Sequence, residues 1–400
     1  MKRHFPIGIG GTALLAAALV IAPAGVLIAA DGNDIGIVSL TFDDANQSQY
    51  DFVRPILANG GQKGVLYVPT ALVGTEEYMT WPEVEALHES GWEIGAHGAT
   101  HAELPEVSNR TEANEISKSA EDLLGRGLAA VTFATPFGAY DNDTLAAIAK
   151  RFAAHRSFHS QGYNRWPYNR YLLSVRYVTT QTSVAEVTQW VEEAMSNNFW
   201  LILVFHEILP AVDPDDTYSW RTDQLEEFIQ HLNDRGITAK TVAEVVAPVQ
   251  NLLPNGSFES GLANGWTADN PKTVQLNTAG QGSYPFPKNS IRMNGSAKAS
   301  HLFSPKVGVT PGTQYALRGY LDSRKLNRGE VGFYMDEYDA AGNWISGQWL
   351  GGVTAKNVID ESYRYQPTSE DVAMARMQAY ITAGARGSVY LDTIEFSAHP

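Results

Sequence analysis

The sequence predicts a (β/α) barrel of seven or eight strands followed by an all-β sandwich. Between residues 35 and 246, apolar strand patterns alternate with amphipathic helical patterns, which is typical of a parallel sheet that closes on itself. The composition changes at residues 248–250, and short alternating strands separated by Gly, Pro and Asn turns follow, as in β-sandwiches. We therefore expect an N-terminal targeting segment over residues 1–30, a barrel over 35–248 and a sandwich over 251–400.

The barrel segment contains eight candidate strands and five candidate helices. Gly91, Gly125 and Gly236 follow three of the helical patterns, where glycine commonly ends a helix. Thr80 is placed to cap the first helix, and Pro82 lies in its first turn. The strands are predicted at 35–41, 64–68, 92–96, 129–134, 156–158, 172–178, 200–205 and 237–241, and the helices at 81–90, 111–124, 143–152, 183–197 and 222–235.

The N-terminal segment has the features of an export signal. Lys2 and Arg3 precede residues 5–30, which carry no charge, and a basic start before an apolar stretch is typical of such signals. Residues 22–24, Ala-Pro-Ala, offer a small-x-small cleavage site. The stretch is also long enough to span a bilayer. A secreted protein and a protein tethered to the membrane through this segment are therefore both open, and either would place the barrel outside the cytoplasm.

The composition excludes several classes of partner and site. The formal net charge of the chain is -15, which argues against nucleic acid and anionic membrane surfaces as partners. The chain has no cysteine, so it forms neither disulfides nor a thiolate metal site.

Carboxylates and imidazoles follow two of the predicted strands. Asp43 and Asp44 come directly after the first strand, and His97 and His101 follow the third. Because the C-terminal ends of barrel strands meet at one rim, we expect these side chains to lie together. One carboxylate and two imidazoles suit zinc or another divalent ion with one position left for water. The second carboxylate is then available as a base.

Four motifs resemble those of the polysaccharide deacetylases of carbohydrate esterase family 4, the NodB-homology family. The resemblance covers residues 35–246 and implies a deformed (β/α) barrel that removes acetyl groups from an acetylated polysaccharide. The motifs, in the order in which the family carries them, are Thr41-Phe42-Asp43-Asp44, His97 to His101, Thr135-Pro136-Phe137-Gly138 and Val204-Phe205-His206.

The resemblance also implies roles for the first two motifs. Asp44, His97 and His101 would bind the divalent metal, for which zinc is favoured. Asp43 would act as the general base.

The later motifs imply the rest of the site. His206 would protonate the leaving amine or alcohol. The backbone amide of Phe137 would help to hold the oxyanion, and a backbone donor does not need the tyrosine that the family usually has there. Pro136 and Trp220 are candidate substrate-binding residues.

One departure from the family concerns the group that orients the base. The arginine that usually precedes the third motif falls at Ala134, and alanine cannot bind a carboxylate. Arg176 ends a predicted strand and is our candidate replacement, while a solvated surface arginine is the alternative. The family's Asp-x-x-Asp-Trp motif is not recognisable.

The function that these residues favour is metal-dependent N-deacetylation of N-acetylglucosamine units in an extracellular polysaccharide. An O-acetyl polysaccharide esterase is one alternative. The other is a secreted glycan-binding protein whose barrel is catalytically impaired by the alanine at position 134.

The tail resembles the jelly-roll carbohydrate-binding modules that are appended to polysaccharide enzymes. The resemblance rests on its opening, residues 251–261, and its closing strand, residues 389–396. It implies glycan binding, with a spacer or a protein-contact domain as the alternatives. Glu259 and Asp392 are candidate ligands of a structural calcium ion, while acidic side chains without any ligand are the alternative.

Overall fold

The computed structural model of the chain describes residues 36–213, 215–247, 250–280, 288–354 and 356–399. The predicted targeting segment at residues 1–30 lies outside the described residues. Within the described part of the chain, every helix is too short or too polar to cross a bilayer.

Seven parallel strands form a closed barrel in sequence order. The barrel closes where the first strand pairs with the seventh, from Ile37 opposite Trp200 to Phe42 opposite Phe205. The eighth predicted strand, at 237–241, does not form, although the Lys240 amide donates to the Val38 carbonyl at 2.9 Å. The strands are β1 (Ile37–Phe42), β2 (Val65–Val68), β3 (Glu93–Ala96), β4 (Thr132–Ala134), β5 (Ala154–Gln161), β6 (Leu173–Tyr177) and β7 (Trp200–Phe205).

Helices connect the barrel strands on the outside. The five predicted helices form within a few residues of their expected bounds, and the predicted cap of the first is confirmed, since Thr80 and Glu83 make a capping box. Two short helices, α1 and α7, are additional. The helices are α1 (Arg54–Asn59), α2 (Trp81–Glu89), α3 (Asn109–Leu124), α4 (Asn142–Ala149), α5 (Val184–Asn197), α6 (Thr222–Asp234) and α7 (Val242–Val246). Gln49–Val53 is a π-helical turn, and Leu104–Glu106 and Pro136–Gly138 are 3₁₀ turns.

The alternation of side chains along each strand separates two apolar layers. Val65, Ala134, Val175 and Ile202 belong to one buried cluster, which fills the inside of the barrel. Their sequence neighbours on the other face, such as Phe133, pack in a second cluster beneath the helices. A residue's position in this alternation therefore decides whether its side chain reaches the barrel axis.

The tail folds into two antiparallel sheets of six strands each, as predicted. One sheet has the order β10-β13-β20-β17-β18 with β14 beside β20, and the other has the order β11-β12-β21-β15-β19 with β16 beside β21. The strands are β10 (Thr267–Ala268), β11 (Val274–Asn277), β12 (Ser290–Asn294), β13 (Ser300–Phe303), β14 (Val307–Gly308), β15 (Tyr315–Asp322), β16 (Leu326–Arg328), β17 (Val331–Tyr338), β18 (Trp344–Val353), β19 (Val358–Tyr365), β20 (Met374–Ile381) and β21 (Arg386–Ala398). The connection between β7 and α6 contains β8 (Glu207–Leu209) and β9 (Ser219–Arg221), which pair in parallel.

The sandwich packs against the side of the barrel through the sheet that contains β15 and β21. Tyr320 on β15 is 2% exposed and belongs to the apolar cluster beneath the barrel helices. The Arg318 guanidinium lies 4.7 Å from the centre of the Tyr168 ring, and Arg170 forms an ion pair with Glu395 at 3.2 Å. The barrel and the sandwich therefore belong to one compact unit.

Candidate active site

The side chains that the motifs single out meet at the C-terminal rim of the barrel. Asp43 and Asp44 follow β1, His97 and His101 follow β3, and His206 follows β7. The backbone fixes the first of these loops, because the Asp43 amide donates to the Phe205 carbonyl at 3.0 Å. Strands that are far apart in sequence thus deliver two carboxylates and three imidazoles to one place.

Asp44, His97 and His101 form a compact three-ligand cluster. One potential ligand atom from each lies within 4.8 Å of the others, and no second cluster of three such groups occurs in the described ranges. The Asp44 Oδ1 atom is 3.1 Å from Nε2 of His101 and 3.5 Å from Nε2 of His97. The Nδ1–H of His97 donates to the Ala134 carbonyl at 2.8 Å, which directs Nε2 at the cluster, as in metal-binding histidines. The donor set therefore fits a divalent ion of the zinc type.

The charges of the cluster are strongly coupled. Burial disfavours the charged form of Asp44, but hydrogen bonds with His101 and His97 outweigh it and hold its pKa well below the usual range. Burial likewise opposes protonation of His97, yet Asp44 and the charge of Asp43 raise its pKa. The imidazoles here, when protonated, supply the positive charge that balances the carboxylates. A divalent ion would supply the same positive charge at this position.

Glu115 on α3 holds the loop between the two histidines, and the sequence analysis missed it. Its carboxylate accepts hydrogen bonds from the amides of Ala99 and Thr100 at 2.9 and 2.7 Å and from the Thr100 hydroxyl at 2.8 Å. Gly98 has a φ of 73°, and a Cβ there would lie 3.3 Å from the same carboxylate. The only signal in the sequence is an acidic residue at a buried helix position.

Three site residues adopt the left-handed backbone region that side chains usually avoid. The φ angles of Asp44, His101 and Phe137 are 77°, 62° and 57°. Such conformations cost of the order of 1–3 kcal/mol each and concentrate at functional sites. Their grouping at one rim marks the loops after β1, β3 and β4 as a functional centre.

Asp43 pairs with Arg156. The prediction that Arg176 orients Asp43 is therefore wrong. Asp43 is 1% exposed, and both of its oxygens lie 2.6 Å from Nη2 of Arg156. Arg156 stands on β5 in register with Ala134 on β4, so the cation comes from the strand beside the position that lacks it. Arg176 points away from the barrel axis, with its guanidinium 4.8 Å from the Tyr163 ring and 4.9 Å from the Trp190 ring.

Gln49 joins the two loops that carry Asp43 and His206. Its side-chain amide donates to the carbonyls of Asp43 and His206 at 2.6 and 2.8 Å. The Nε2 atom of His206 lies 4.0 Å from Oδ2 of Asp43. Burial lowers the pKa of His206, although Asp43 and Asp44 act in the opposite direction. The imidazole is therefore placed to exchange protons with a group bound between it and Asp43.

A buried neutral histidine supports the loop after β4. His155 donates from Nδ1 to the Tyr171 carbonyl at 2.8 Å, and its Nε2 lies 3.1 Å from the Thr135 hydroxyl. Burial lowers the pKa of His155 to about 3. Thr135 opens the turn that presents Phe137, whose ring centre lies 4.6 Å from that of His101.

Residues 31–153 match the family model for polysaccharide deacetylases. This segment, which contains β1 to β4, is therefore similar to a polysaccharide deacetylase domain. The match covers the first two motifs and the third, and the closed barrel supplies the fourth at the same rim. None of the curated proteins matches the chain.

Three solved structures of carbohydrate-modifying proteins are similar to part of the chain. The family 4 carbohydrate esterase of Streptomyces lividans is 18% identical over 51% of this chain and 91% of its own, with a TM-score of 0.37. The Xyl-CE4 domain of a multidomain xylanase from the hindgut metagenome of Trinervitermes trinervoides is 19% identical over 53% and 89%, with a TM-score of 0.38. The peptidoglycan deacetylase PdaC of Bacillus subtilis is 14% identical over 53% and 90%, with a TM-score of 0.34.

Two expected substrate-binding residues of the barrel are buried. Trp220 is 1% exposed, its indole N–H donates to the Thr182 carbonyl at 2.8 Å, and its ring packs on Phe205. It is a core residue, and its assignment to a sugar site was wrong. Pro136 is also buried, and a Cβ at Gly98 would lie 3.5 Å from its ring, so it shapes the loop; its contact with a substrate stays a prediction.

The calcium site expected in the sandwich stays a prediction. A Glu259 carboxylate oxygen accepts the Asn289 amide at 3.3 Å, and Asp392 is fully buried. The two residues form no cluster of three carboxylate or imidazole ligands within the described ranges.

Proposed function

We propose that the barrel hydrolyses the N-acetyl groups of N-acetylglucosamine units in a polysaccharide, with a divalent metal held by Asp44, His97 and His101. The observation that carries the proposal is the convergence of these three ligands within 4.8 Å beside a separate carboxylate, Asp43. Zinc is favoured, because two imidazoles and one carboxylate suit it. A metal ion bound there would supply Lewis-acid activation of water and of the acetyl carbonyl.

The residues of the chain divide the proton transfers between them. Asp43 is oriented by the guanidinium of Arg156, and it accepts the proton of the attacking water. The Phe137 amide is the candidate donor to the oxyanion, since its loop lies beside His101. His206, 4.0 Å from Asp43, donates a proton to the leaving nitrogen. Release of an amine needs this proton more than release of an alcohol, and the presence of His206 therefore favours an amide substrate.

Arg156 also argues against the alternative of a catalytically impaired glycan-binding protein. That alternative rested on the missing arginine at position 134, and the guanidinium of Arg156 lies against Asp43 in its place. The base has its cation, and we therefore favour an active enzyme over an impaired glycan-binding protein.

Export and glycan binding by the tail are further parts of the proposal. Export is supported by the basic and apolar pattern of residues 1–30. Glycan binding is supported by the resemblance of the tail to carbohydrate-binding modules and by the exposed Trp344 and Trp349 on β18, which are 61% and 46% exposed. A calcium-dependent shift in melting temperature that Asp392→Asn abolishes would support the calcium site.

The experiment is acetate release from N-acetylglucosamine hexamer and from O-acetylated xylan, with and without a chelator. We expect release from the hexamer, loss of release with the chelator, and recovery on adding Zn²⁺. His97→Ala should lose both stoichiometric metal and activity. His301→Ala, which removes another histidine paired with an aspartate, is the matched control and should keep both.

The outcomes separate the alternatives. Release from xylan alone would identify an O-acetyl esterase. Full metal content in the His97→Ala protein would show that the metal site is wrong, and release that persists in the chelator would exclude metal dependence.

A further inference from the structure

Two of the exposed large apolar side chains lie against the histidines of the site. In the described part of the chain six such side chains are exposed, among them Phe137 at 68% and Tyr218 at 54%. The Phe137 ring lies 4.6 Å from that of His101, and the Tyr218 ring lies 4.9 Å from that of His206. Single exposed aromatic residues need no explanation. However, Phe137 lies beside a proposed metal ligand and Tyr218 lies beside the proposed general acid of the same centre.

Two further rings stand on β5 and β6, which lie between the strand that precedes Phe137 and the strand that precedes His206. Tyr177, at the end of β6, lies 4.7 Å from Phe158 on β5. The Thr180 amide donates to the Thr217 carbonyl at 3.1 Å, so the loop that carries Tyr218 lies beside the loop that follows Tyr177. Phe158 covers Gly138, where a Cβ would lie 2.1 Å from the ring, so glycine is needed at the position that follows Phe137. We call Phe137, Phe158, Tyr177 and Tyr218 the aromatic wall.

Backbone hydrogen bonds fix Tyr218 relative to His206. The Tyr218 amide donates to Oδ1 of Asp216 at 3.0 Å, and the amide of Glu207, the residue after His206, donates to the Tyr218 carbonyl at 3.3 Å. Asp216 is itself held, because its carbonyl accepts the Thr180 hydroxyl. An exposed ring that is held in place loses little entropy when it meets a ligand.

Polar groups also lie beside the centre. The Tyr78 backbone pairs with that of Asn46, and the Gln47 amide donates to the Glu77 carbonyl at 2.8 Å, so Tyr78 and Glu77 lie next to the loop that carries Asp44. A site with both aromatic rings and hydrogen-bonding groups around it matches a pyranose ring, whose C–H faces are apolar and whose hydroxyls lie around its edge.

We propose that the aromatic wall binds the sugar rings of the polysaccharide chain, and that Tyr218 is the residue that makes the enzyme prefer a polymer to a small acetyl compound. This inference rests on the proposed deacetylase function, since it concerns the same centre. Tyr218 is chosen because its ring is exposed and lies beside His206, which would protonate the amine of the leaving sugar. Phe137 and Phe158, in contrast, also shape the loop after β4.

The test compares Tyr218→Ala, Tyr218→Phe and the control Leu124→Ala, which removes another exposed apolar side chain, at the end of α3. The substrates are N-acetylglucosamine hexamer and 4-nitrophenyl acetate, and hexamer binding is also measured by calorimetry. We expect Tyr218→Ala to raise KM for the hexamer roughly tenfold, as for the loss of one well-packed aromatic contact, with a smaller rise for the ester. Tyr218→Phe should stay within twofold of the wild type.

Other results would overturn the inference. An unchanged KM and Kd for the hexamer in Tyr218→Ala would show that the ring does not touch the sugar. An equal loss of kcat on both substrates, with KM unchanged, would show that it only supports His206. If the wild type releases no acetate but binds the hexamer, and Tyr218→Ala weakens that binding, the proposed function fails while the aromatic wall stands. A wild type that does not bind the hexamer refutes the wall.

Discussion

Asp43 in the barrel and Glu337 in the sandwich are both carboxylates removed from solvent, at 1% and 0% exposure, but their surroundings differ. Glu337 accepts hydrogen bonds from five neutral donors, which belong to Ser346, Gln348, Tyr365 and Thr368. Asp43 is held by one cation, Arg156, whose Nε and Nη1 atoms have no partner within the described ranges.

This difference distinguishes a buried carboxylate that stabilises the fold from one that takes part in catalysis. Neutral donors saturate Glu337 and leave it nothing further to bind, so it fixes the sandwich strands to each other. Asp43 has two imidazoles at 4.0 Å and a single charged partner, which leaves it able to accept a proton. We therefore expect changes around Asp43 to alter catalysis and changes around Glu337 to alter only stability.

The largest effect should come from Arg156→Ala. The change removes the group that orients Asp43, and loss of such a supporting partner typically costs about 10–100-fold in activity. It also leaves a buried carboxylate unpaired, which costs about 3–5 kcal/mol of stability. The measurements are acetate release, metal content and melting temperature. Metal content should be unchanged, because Arg156 is not a ligand.

Arg176→Ala is the matched control for Arg156. Its guanidinium packs on two rings outside the barrel axis, so we expect wild-type activity. A loss of activity in Arg176→Ala together with an active Arg156→Ala would contradict the assignment.

Glu337→Ala should lower stability without altering the active site. Five donors lose their acceptor and a small cavity opens, and we expect a loss of about 2–4 kcal/mol in the free energy of unfolding. Denaturant unfolding and kcat/KM at a temperature well below the transition are the measurements. A fall in kcat/KM of the folded protein would mean that the sandwich and the active site are coupled.

The smallest effect concerns pH and His155. Burial holds the pKa of His155 at about 3, against 6.5 for the ordinary group, so below pH 6.5 the unfolded chain binds a proton that the folded chain does not. Stability must therefore fall as the pH drops from 6.5 towards 3, by roughly 2 kcal/mol at pH 5. His155→Gln should flatten this slope in unfolding experiments between pH 6.5 and 4.5.

Glu337→Ala is a suitable control for the pH experiment. Burial opposes the charged form of Glu337, but its hydrogen bonds lower the pKa below 4.5. Its stabilisation is thus present above pH 4.5 and is lost as the pH falls through the folded pKa. The control should keep the wild-type slope between pH 6.5 and 4.5, and an equally steep slope in His155→Gln would rule out His155 as its source.

The sequence by itself determined the architecture and most of the chemistry. The alternation of strands and helices predicts the barrel, the change in composition at residues 248–250 predicts the sandwich, and the positions of Asp44, His97 and His101 after their strands predict the ligand cluster. These signals are local, because an apolar strand that ends in polar residues reads the same in any context. The number of strands remained open between seven and eight, since a short apolar stretch such as 237–241 does not show whether it will find a partner.

The tertiary structure decided which side chains meet across strands. Arg156 replaces the arginine missing at position 134 only because β4 and β5 pair in the register that puts Ala134 beside Arg156. Arg176 is excluded because it stands on the outward face of β6, and Trp220 because the core closes over it. Tyr218 reaches His206 through a loop whose path the sequence does not specify. Register and loop path depend on the packing of the whole barrel, and a single strand's pattern cannot contain them.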